Sequence, residues 1–328
     1  MSDTLTESRQ LTWPASSSFG QKPVDPAFAK GSAYVDGRIV PVEQATIPLL
    51  DWGFLRSDAC QETISVWNGQ FFRLDDHLAR FGRSTGRLQM NSSPVTSDEI
   101  RDIVHRLVAV CAFDKAYVQI IMTRGFPPIG SRDLRLCKNR FQAFCFPYVW
   151  IATQDQQQKG LNVHVSKRVR VPSASVDPMV KHYHWLDFQM GLLEAYQQNT
   201  DTVLLVDSNG DVAEGPGFNV FAVVNGELAT PASGVLDGMT RRTVIELARE
   251  RGIAVTERAI PEAELRSADE VFLTTTAGGV IPVTSIDGTA LDDGWPGEVT
   301  RELHAAYWNR RGQGWLSTPV DYSRNQIG

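Results

Sequence analysis

Along this chain of 328 residues, apolar and polar positions recur with two different periods, and the switches between them mark out the elements. Two short apolar runs within residues 32–40 flank Asp36-Gly37, a dipeptide suited to a tight hairpin turn. A second hairpin is predicted where Gln61-Glu-Thr-Ile-Ser-Val-Trp67 alternates, meets Asn68-Gly69 and resumes at Gln70-Phe-Phe-Arg73. Leu74, Leu78, Phe81 and Leu88 then lie on one face of a helix, and Ile100, Ile103, Val104, Leu107 and Val108 mark another that begins at Ser97. Strands are predicted over 116–124 and 141–151. Between them, residues 125–140 hold Pro127, Pro128 and Gly130 and read as a long loop, a kind of segment that often serves as a functional lid.

The second half gives strands at 161–165, 202–206, 217–224, 253–256 and 270–275, with helices at 185–199, 240–251 and 296–311. Residues 1–30 are polar and rich in Ser and Pro, an irregular arm. The polar run at 153–160 reads as a linker. Strands and helices mix without strict βαβ alternation, which predicts an α+β fold. The length predicts two domains: a small α/β domain over 31–151 and a large one over 161–328, joined by a linker at 152–160.

Composition narrows the function classes. Hydrophobic residues make up 42% and charged residues 21%, as in ordinary soluble globular proteins, and a net charge of -6 without a Lys/Arg cluster excludes a nucleic-acid surface. Cys60, Cys111, Cys137 and Cys145 fall in no metal-ligand spacing, so no metal is expected; Cys111 and Cys145 sit in apolar runs and read as core. The first ten residues lack an apolar core segment and no stretch approaches eighteen apolar residues, so the expected compartment is the cytoplasm, without membrane contact.

Five stretches carry candidate chemistry. In Val180-Lys-His-Tyr-His-Trp185 a lysine lies among apolar neighbours at the expected start of a helix. Most such lysines are solvated, but desolvation would free the amine that Schiff-base chemistry needs. Glu214, in Ala213-Glu-Gly-Pro-Gly-Phe-Asn219, is either a turn acid in water or an anion held against a buried heterocyclic nitrogen. Gly238-Met-Thr240 opens a helix, either an ordinary capped start or a seat for an anion. Thr274-Thr-Thr-Ala-Gly-Gly279 ends a strand in hydroxyls that suit a phosphate, though Thr is also a common strand residue. Arg80 sits on a predicted helix, where an arginine is most often solvated or ion-paired.

As an ordered set, FRLDDHxxR, the Lys181 stretch with Trp185 four residues on, AEGxGFN, LxGxTR and TTAGG resemble the fold-type IV pyridoxal-phosphate aminotransferases, a group that includes branched-chain and D-amino-acid aminotransferases and aminodeoxychorismate lyase. Phe28-Ala-Lys-Gly, Ile47-Pro-Leu-Leu-Asp, Ser65-Val-Trp-Asn-Gly and Pro147-Tyr-Val-Trp look most like the (R)-selective amine transaminases. The resemblance implies a two-domain homodimer with its active site between domains and a loop lent by the partner. It implies that Lys181 carries pyridoxal 5'-phosphate and moves the Cα proton, that Glu214 pairs with the ring nitrogen, and that Leu236 packs on the ring. Arg80, Met239, Thr240, Thr275 and Thr276 would hold the phosphate. Candidate substrate-facing residues are Arg56, Gln61, Thr63, Tyr117, Arg132, Trp185 and Ala277.

That branch tends to carry histidine and tyrosine where this chain has Arg56 and Gln61, while Glu62-Thr63 looks like the amino-acid branches. The expected activity is transfer of an amino group from an (R)-amine or D-amino acid to an α-keto acid such as pyruvate. A branched-chain-type aminotransferase, a lyase of the same fold, and a cofactor-binding protein without turnover are the alternatives. A mobile cation, Arg56 or else Arg132 or Arg135 on the long loop, is expected to meet a substrate carboxylate.

Overall fold

The computed structural model describes residues 9–15 and 22–327; the remainder of the expected N-terminal arm lies outside the described residues. The chain forms two compact units. One comprises Ala15–Val149, Val180–His184 and Gly314–Gly328; the other comprises Met1–Pro14, Trp150–Met179 and Trp185–Gln313.

The first unit is built on a seven-stranded sheet. Its elements are β1 (Ser32–Val35), β2 (Arg38–Pro41), α1 (Trp52–Arg56), β3 (Ala59–Trp67), β4 (Gln70–Phe72), α2 (Leu74–Arg87), α3 (Ser97–Cys111), β5 (Ala116–Thr123) and β6 (Arg140–Pro147). The late strand Ser317–Pro319 joins the edge beside β4. Both predicted hairpins form. Asp36 and Gly37, and Asn68 and Gly69, adopt the positive φ angles that a two-residue turn matching the strand twist requires. One face of β3, β5 and β6 buries Cys60, Ile64, Val66, Val118, Ile120, Met122, Ala143 and Cys145 against Leu78, Phe81, Val104 and Leu107 of α2 and α3. Removing such side chains from water at roughly 1.5–3 kcal/mol each is the main force assembling this unit.

The predicted strand over 141–151 stops at Pro147. The Ile151 amide donates instead to the Ala277 carbonyl (2.8 Å), so it cannot continue the ladder of β6. Residues 153–160, expected as a linker, contain the helix α4 (Gln154–Lys159), which Thr153 and Gln156 cap reciprocally.

The second unit holds an eight-stranded mixed sheet: β7 (Leu161–Val169), β8 (Thr202–Val206), β9 (Asn219–Val224), β10 (Glu227–Thr230), β11 (Val255–Glu257), β12 (Glu270–Thr275) and β13 (Gly279–Ile286), with β14 (Thr289–Ala290) paired to β13. β7 runs parallel to β8 and β13, and β9 is antiparallel to β10 and β12. The helices are α5 (Leu186–Gln197), α6 (Met239–Glu250), α7 (Glu262–Arg266) and α8 (Glu298–Gly312). Val163, Leu204, Val220, Leu273 and Ile281 form the centre of its core. Among the described residues, no helix is long and apolar enough to cross a membrane.

Candidate active site

Lys181 was expected at a helix start, yet the helix begins only at Leu186. The lysine lies instead on an irregular segment clamped at its backbone. The Gln61 amide donates to the Lys181 carbonyl (2.8 Å), the Lys181 amide donates to Ser84 Oγ of α2 (3.4 Å), and Cys60 pairs with His182. β3 therefore sets where this amine stands.

Arg80 and His77, on the same helix as Ser84, converge on a residue that the sequence pattern does not single out. Glu62 accepts Arg80 Nε at 2.7 Å and Arg80 Nη2 at 2.9 Å, and stands 2.8 Å from His77 Nδ1. Burial pushes the Glu62 carboxyl up, but Arg80 and His77 outweigh it and hold the group at about 2. Burial pushes His77 down; Glu62 opposes this, and the charges of Arg80 and Lys181 add to the depression. A signal for Glu62 is present in the alternation. It shares the phase of Cys60, Ile64 and Val66, and a carboxylate in a core-facing phase needs buried partners.

The opposite face of this sheet is polar and aromatic. In register across β3 and β5 stand Thr63 with Gln119 and Ser65 with Tyr117. Thr63 Oγ1 donates to Gln61 Oε1 (3.1 Å) and lies 3.3 Å from the Tyr117 hydroxyl. Gln119 Nε2 donates to the Tyr183 hydroxyl (2.5 Å), and Tyr117 stacks on Phe146. Burial pushes both phenols up, so they remain neutral hydroxyls. The structure thus groups Gln61, Thr63 and Tyr117 and adds Gln119 and Tyr183. Arg56 is exposed, with its guanidinium 3.7 Å over the Trp52 ring, and among the described residues no hydrogen bond or ion pair joins it to Gln61 or Thr63. Arg132 is exposed on the long loop, where Arg135 pairs with Asp133.

In the second unit, Glu214 is pinned to β8, whose Leu205 amide donates to the Glu214 carbonyl (3.1 Å). Its buried carboxylate accepts Arg170 Nε (3.3 Å) and the Leu236 amide (3.0 Å). Asn219 Nδ2 donates to the Leu236 carbonyl (2.9 Å), which ties the Glu214 stretch to the turn before α6. That helix starts at Gly238 without a side-chain cap, with Met239 and Thr240 buried at its first turn. A Cβ on Gly238 would stand 2.0 Å from Asn219 Oδ1, so any larger residue there must displace the Asn219 side chain. Thr275 Oγ1 donates to the Gly217 carbonyl (2.9 Å) and accepts the Ala277 amide (3.2 Å), while Thr276 beside it is half-buried. A Cβ on Gly217 would come 3.5 Å from the Trp185 ring. Trp185, Thr275 and Ala277 therefore gather around the glycine turn that carries Glu214.

A tethered amine, a buried anion, a buried guanidinium and an uncapped helix start over a glycine are groups whose chemistry fits pyridoxal 5'-phosphate. The helix start and the guanidinium suit its phosphate, and the anion suits its ring nitrogen.

The profile of the amino-transferase class IV family matches residues 59–286. A Methanocaldococcus jannaschii protein provisionally named a branched-chain-amino-acid aminotransferase is 32% identical over 82% of this chain and 93% of that one. The D-alanine aminotransferase of Bacillus licheniformis is 28% identical over 84% of this chain and 95% of that one. The branched-chain amino acid aminotransferase of Thermobaculum terrenum, solved in its pyridoxal-phosphate form, superposes with a TM-score of 0.77 at 29% identity, covering 89% of this chain and 99% of that one. The clamped lysine, the buried Glu214 and the uncapped helix over Gly238 thus stand in a chain that belongs to the class IV aminotransferases, pyridoxal-phosphate enzymes of fold type IV.

Proposed function

We propose that this aminotransferase moves an amino group from an (R)-amine or a D-amino acid to an α-keto acid such as pyruvate. The donor leaves as a ketone or keto acid and the acceptor leaves as an amino acid. Pyridoxal phosphate, when bound, supplies the electron sink for the pair left at Cα. Lys181 is the catalytic residue: its Nζ takes the Cα proton from the donor and returns one to the acceptor. Glu214 would hold the ring nitrogen, Leu236 would pack on the ring, and Arg80, Met239, Thr240 and Thr276 would bind the phosphate.

The observation that carries the donor assignment is the uncharged wall. Gln61, Thr63, Ser65, Tyr117, Gln119, Phe144 and Phe146 share one face of the sheet and are uncharged, while Arg140, at the far end of that face, is neutralised by its ion pair with Asp36. Such a wall admits an apolar amine without stranding a buried charge. An exposed arginine, Arg56 or Arg132, can then swing in for a carboxylate and return to water.

Relatives named branched-chain-amino-acid aminotransferases support a second reading, transamination of branched-chain amino acids, which the test takes as the L-enantiomers. A panel of paired enantiomers separates the two, with pyruvate as acceptor and alanine formation as readout for the amines and branched-chain donors, and 2-oxobutanoate as acceptor and 2-aminobutyrate formation as readout for alanine. Faster turnover of (R)-1-phenylethylamine and D-alanine than of their mirror images supports the proposal. Turnover of L-leucine and L-valine with neither of those rejects it in favour of the second reading. Pyruvate released, with no acceptor added, from an amino acid that carries a leaving group at Cβ would make the protein a lyase.

We also propose a homodimer. Leu186, Met190, Leu193 and Tyr196 form an apolar stripe on α5, exposed by 75%, 38%, 54% and 57%. A second copy of the chain is the proposed cover for it.

A further inference from the structure

Arg170 belongs to none of the sequence motifs, yet it is the buried residue most closely wired to Glu214 among those the activity does not already use. Consecutive positions of β8 hold both backbones: the Arg170 amide donates to the Val206 carbonyl (2.8 Å), and the Leu205 amide donates to the Glu214 carbonyl (3.1 Å). The two side chains therefore meet under tight control. Arg170 Nε donates to Glu214 Oε1 (3.3 Å) and Arg170 Nη1 to Asp187 Oδ2 (2.6 Å). Its guanidinium also lies 4.1 Å from the Phe188 ring centre. Asp187 in turn accepts the Val171 amide (3.0 Å). Arg170 is 6% exposed and Glu214 also 6%, so water screens little of this interaction.

We propose that Arg170 is a positioning residue for the transaminase reaction, holding Glu214 ionised and oriented so that the proton stays on the cofactor's ring nitrogen. This rests on the reading of Glu214 as the partner of that nitrogen. A buried carboxylate facing a heterocycle has two ways to share one proton: carboxylate with pyridinium, or carboxylic acid with neutral pyridine. Only the first makes the ring a strong electron sink. Burial favours the second, because it removes two charges from a poorly polarisable site. A guanidinium beside the carboxylate reverses that preference, since it stabilises the anion it touches more than it repels a charge on the carboxylate's far side. Arg170, Asp187 and Glu214 together carry one positive and two negative charges, so the group as a whole attracts a protonated ring nitrogen. The second salt bridge, to Asp187 in the first turn of α5, keeps the guanidinium from rotating away.

The test uses holoenzyme loaded with cofactor labelled with ¹⁵N at the ring, in wild type, Arg170→Met, Arg170→Lys and Glu214→Gln. Four quantities are read for each: the ¹⁵N shift against pH, the single-turnover rate, the donor KM, and the thermal midpoint. In Arg170→Met the shared proton should pass toward Glu214, so the ¹⁵N shift at neutral pH should move from the pyridinium position toward that of neutral pyridine, a change of at least tenfold in the ratio of the two forms. The single-turnover rate should fall about tenfold or more while the donor KM barely moves. Arg170→Lys should recover part of both. A folded, loaded Arg170→Met enzyme with a wild-type ¹⁵N titration overturns the proposal, whatever its thermal midpoint. Should Arg170→Met fail to fold, Arg170→Lys decides: losing the fork must shift the titration in the same direction, and an unshifted curve overturns it. Glu214→Gln separates the two levels. If it too leaves the ring nitrogen protonated, the assignment of Glu214 is wrong; if it deprotonates the ring while the Arg170 variants do not, only the role of Arg170 falls.

Discussion

Glu62 occupies a place where an apolar side chain would pack, and its fully buried charge is tolerated because Arg80 grips it with two nitrogens and His77 adds a third contact. Glu62→Gln keeps the shape and strands the guanidinium, so it should destabilise the fold by about 3 kcal/mol, read from denaturant unfolding. Because Arg80 is proposed to reach the phosphate, the same variant should bind pyridoxal phosphate more weakly while binding of unphosphorylated pyridoxal hardly changes; equal loss for both would detach Glu62 from phosphate binding. Arg56 presents the opposite case, an exposed cation parked on Trp52. Arg56→Ala should raise KM for pyruvate and D-alanine about tenfold, ~1.4 kcal/mol, with (R)-1-phenylethylamine unaffected. If Arg132→Ala alone gives that pattern, the loop carries the carboxylate partner and Arg56 is structural.

At the scale of elements, the start of α6 depends on one missing methyl group. Gly238 has an ordinary helix-entry backbone, φ -66° and ψ 135°, so strain is not the reason for glycine there. The reason is Asn219, whose side chain would be displaced by a Cβ and would lose its bond to the Leu236 carbonyl. Gly238→Ala should raise the dissociation constant for pyridoxal phosphate about tenfold in a fluorescence titration of apoprotein, with the thermal midpoint of the apoprotein nearly unchanged. The stripe on α5 makes a separate prediction. Leu193→Glu should yield monomers by light scattering, whereas an unaltered oligomer would show that this face is not the contact. α3 shows how much an element owes to its own sequence: Thr96 and Glu99 cap it reciprocally, and its apolar residues repeat with helical spacing.

For the whole molecule, the buried histidines govern acid stability before the carboxylates do. His304 of α8 is pushed down to about 4 by burial, against the pull of the Val280 and Thr12 carbonyls. The unfolded chain therefore binds its proton first, near pH 6.5. The stabilisation is complete above that value and is lost as pH falls toward 4, amounting to roughly 3 kcal/mol for this one group. Burial also pushes His77 and His105 down, with the same sign. Glu62 acts later, its contribution being lost only as pH falls from 4.5 toward about 2. Denaturant midpoints should therefore drop between pH 7 and 4, and His304→Gln should flatten that slope; an equally steep slope would assign it to other groups.

What the sequence determined by itself was local. Hairpin turns at Asp36-Gly37 and Asn68-Gly69, the amphipathic helices and the α+β class follow from turn chemistry and hydrophobic period, which neighbouring residues settle among themselves. The ordered motifs also pointed to the family and singled out Lys181 and Glu214 as candidates. The six-residue helix in the polar stretch before β7 escaped because it is too short to show a period, although Thr153 and Gln156 carried its capping signal. Partnerships between distant residues were decided only by the tertiary structure. The strand that clamps Lys181, the carboxylate that holds Arg80, the Gln119–Tyr183 bond and the guanidinium beside Glu214 each join positions 18 to 120 residues apart. Such pairs are set by sheet register and burial, which put a charge where water is absent and leave it one available partner.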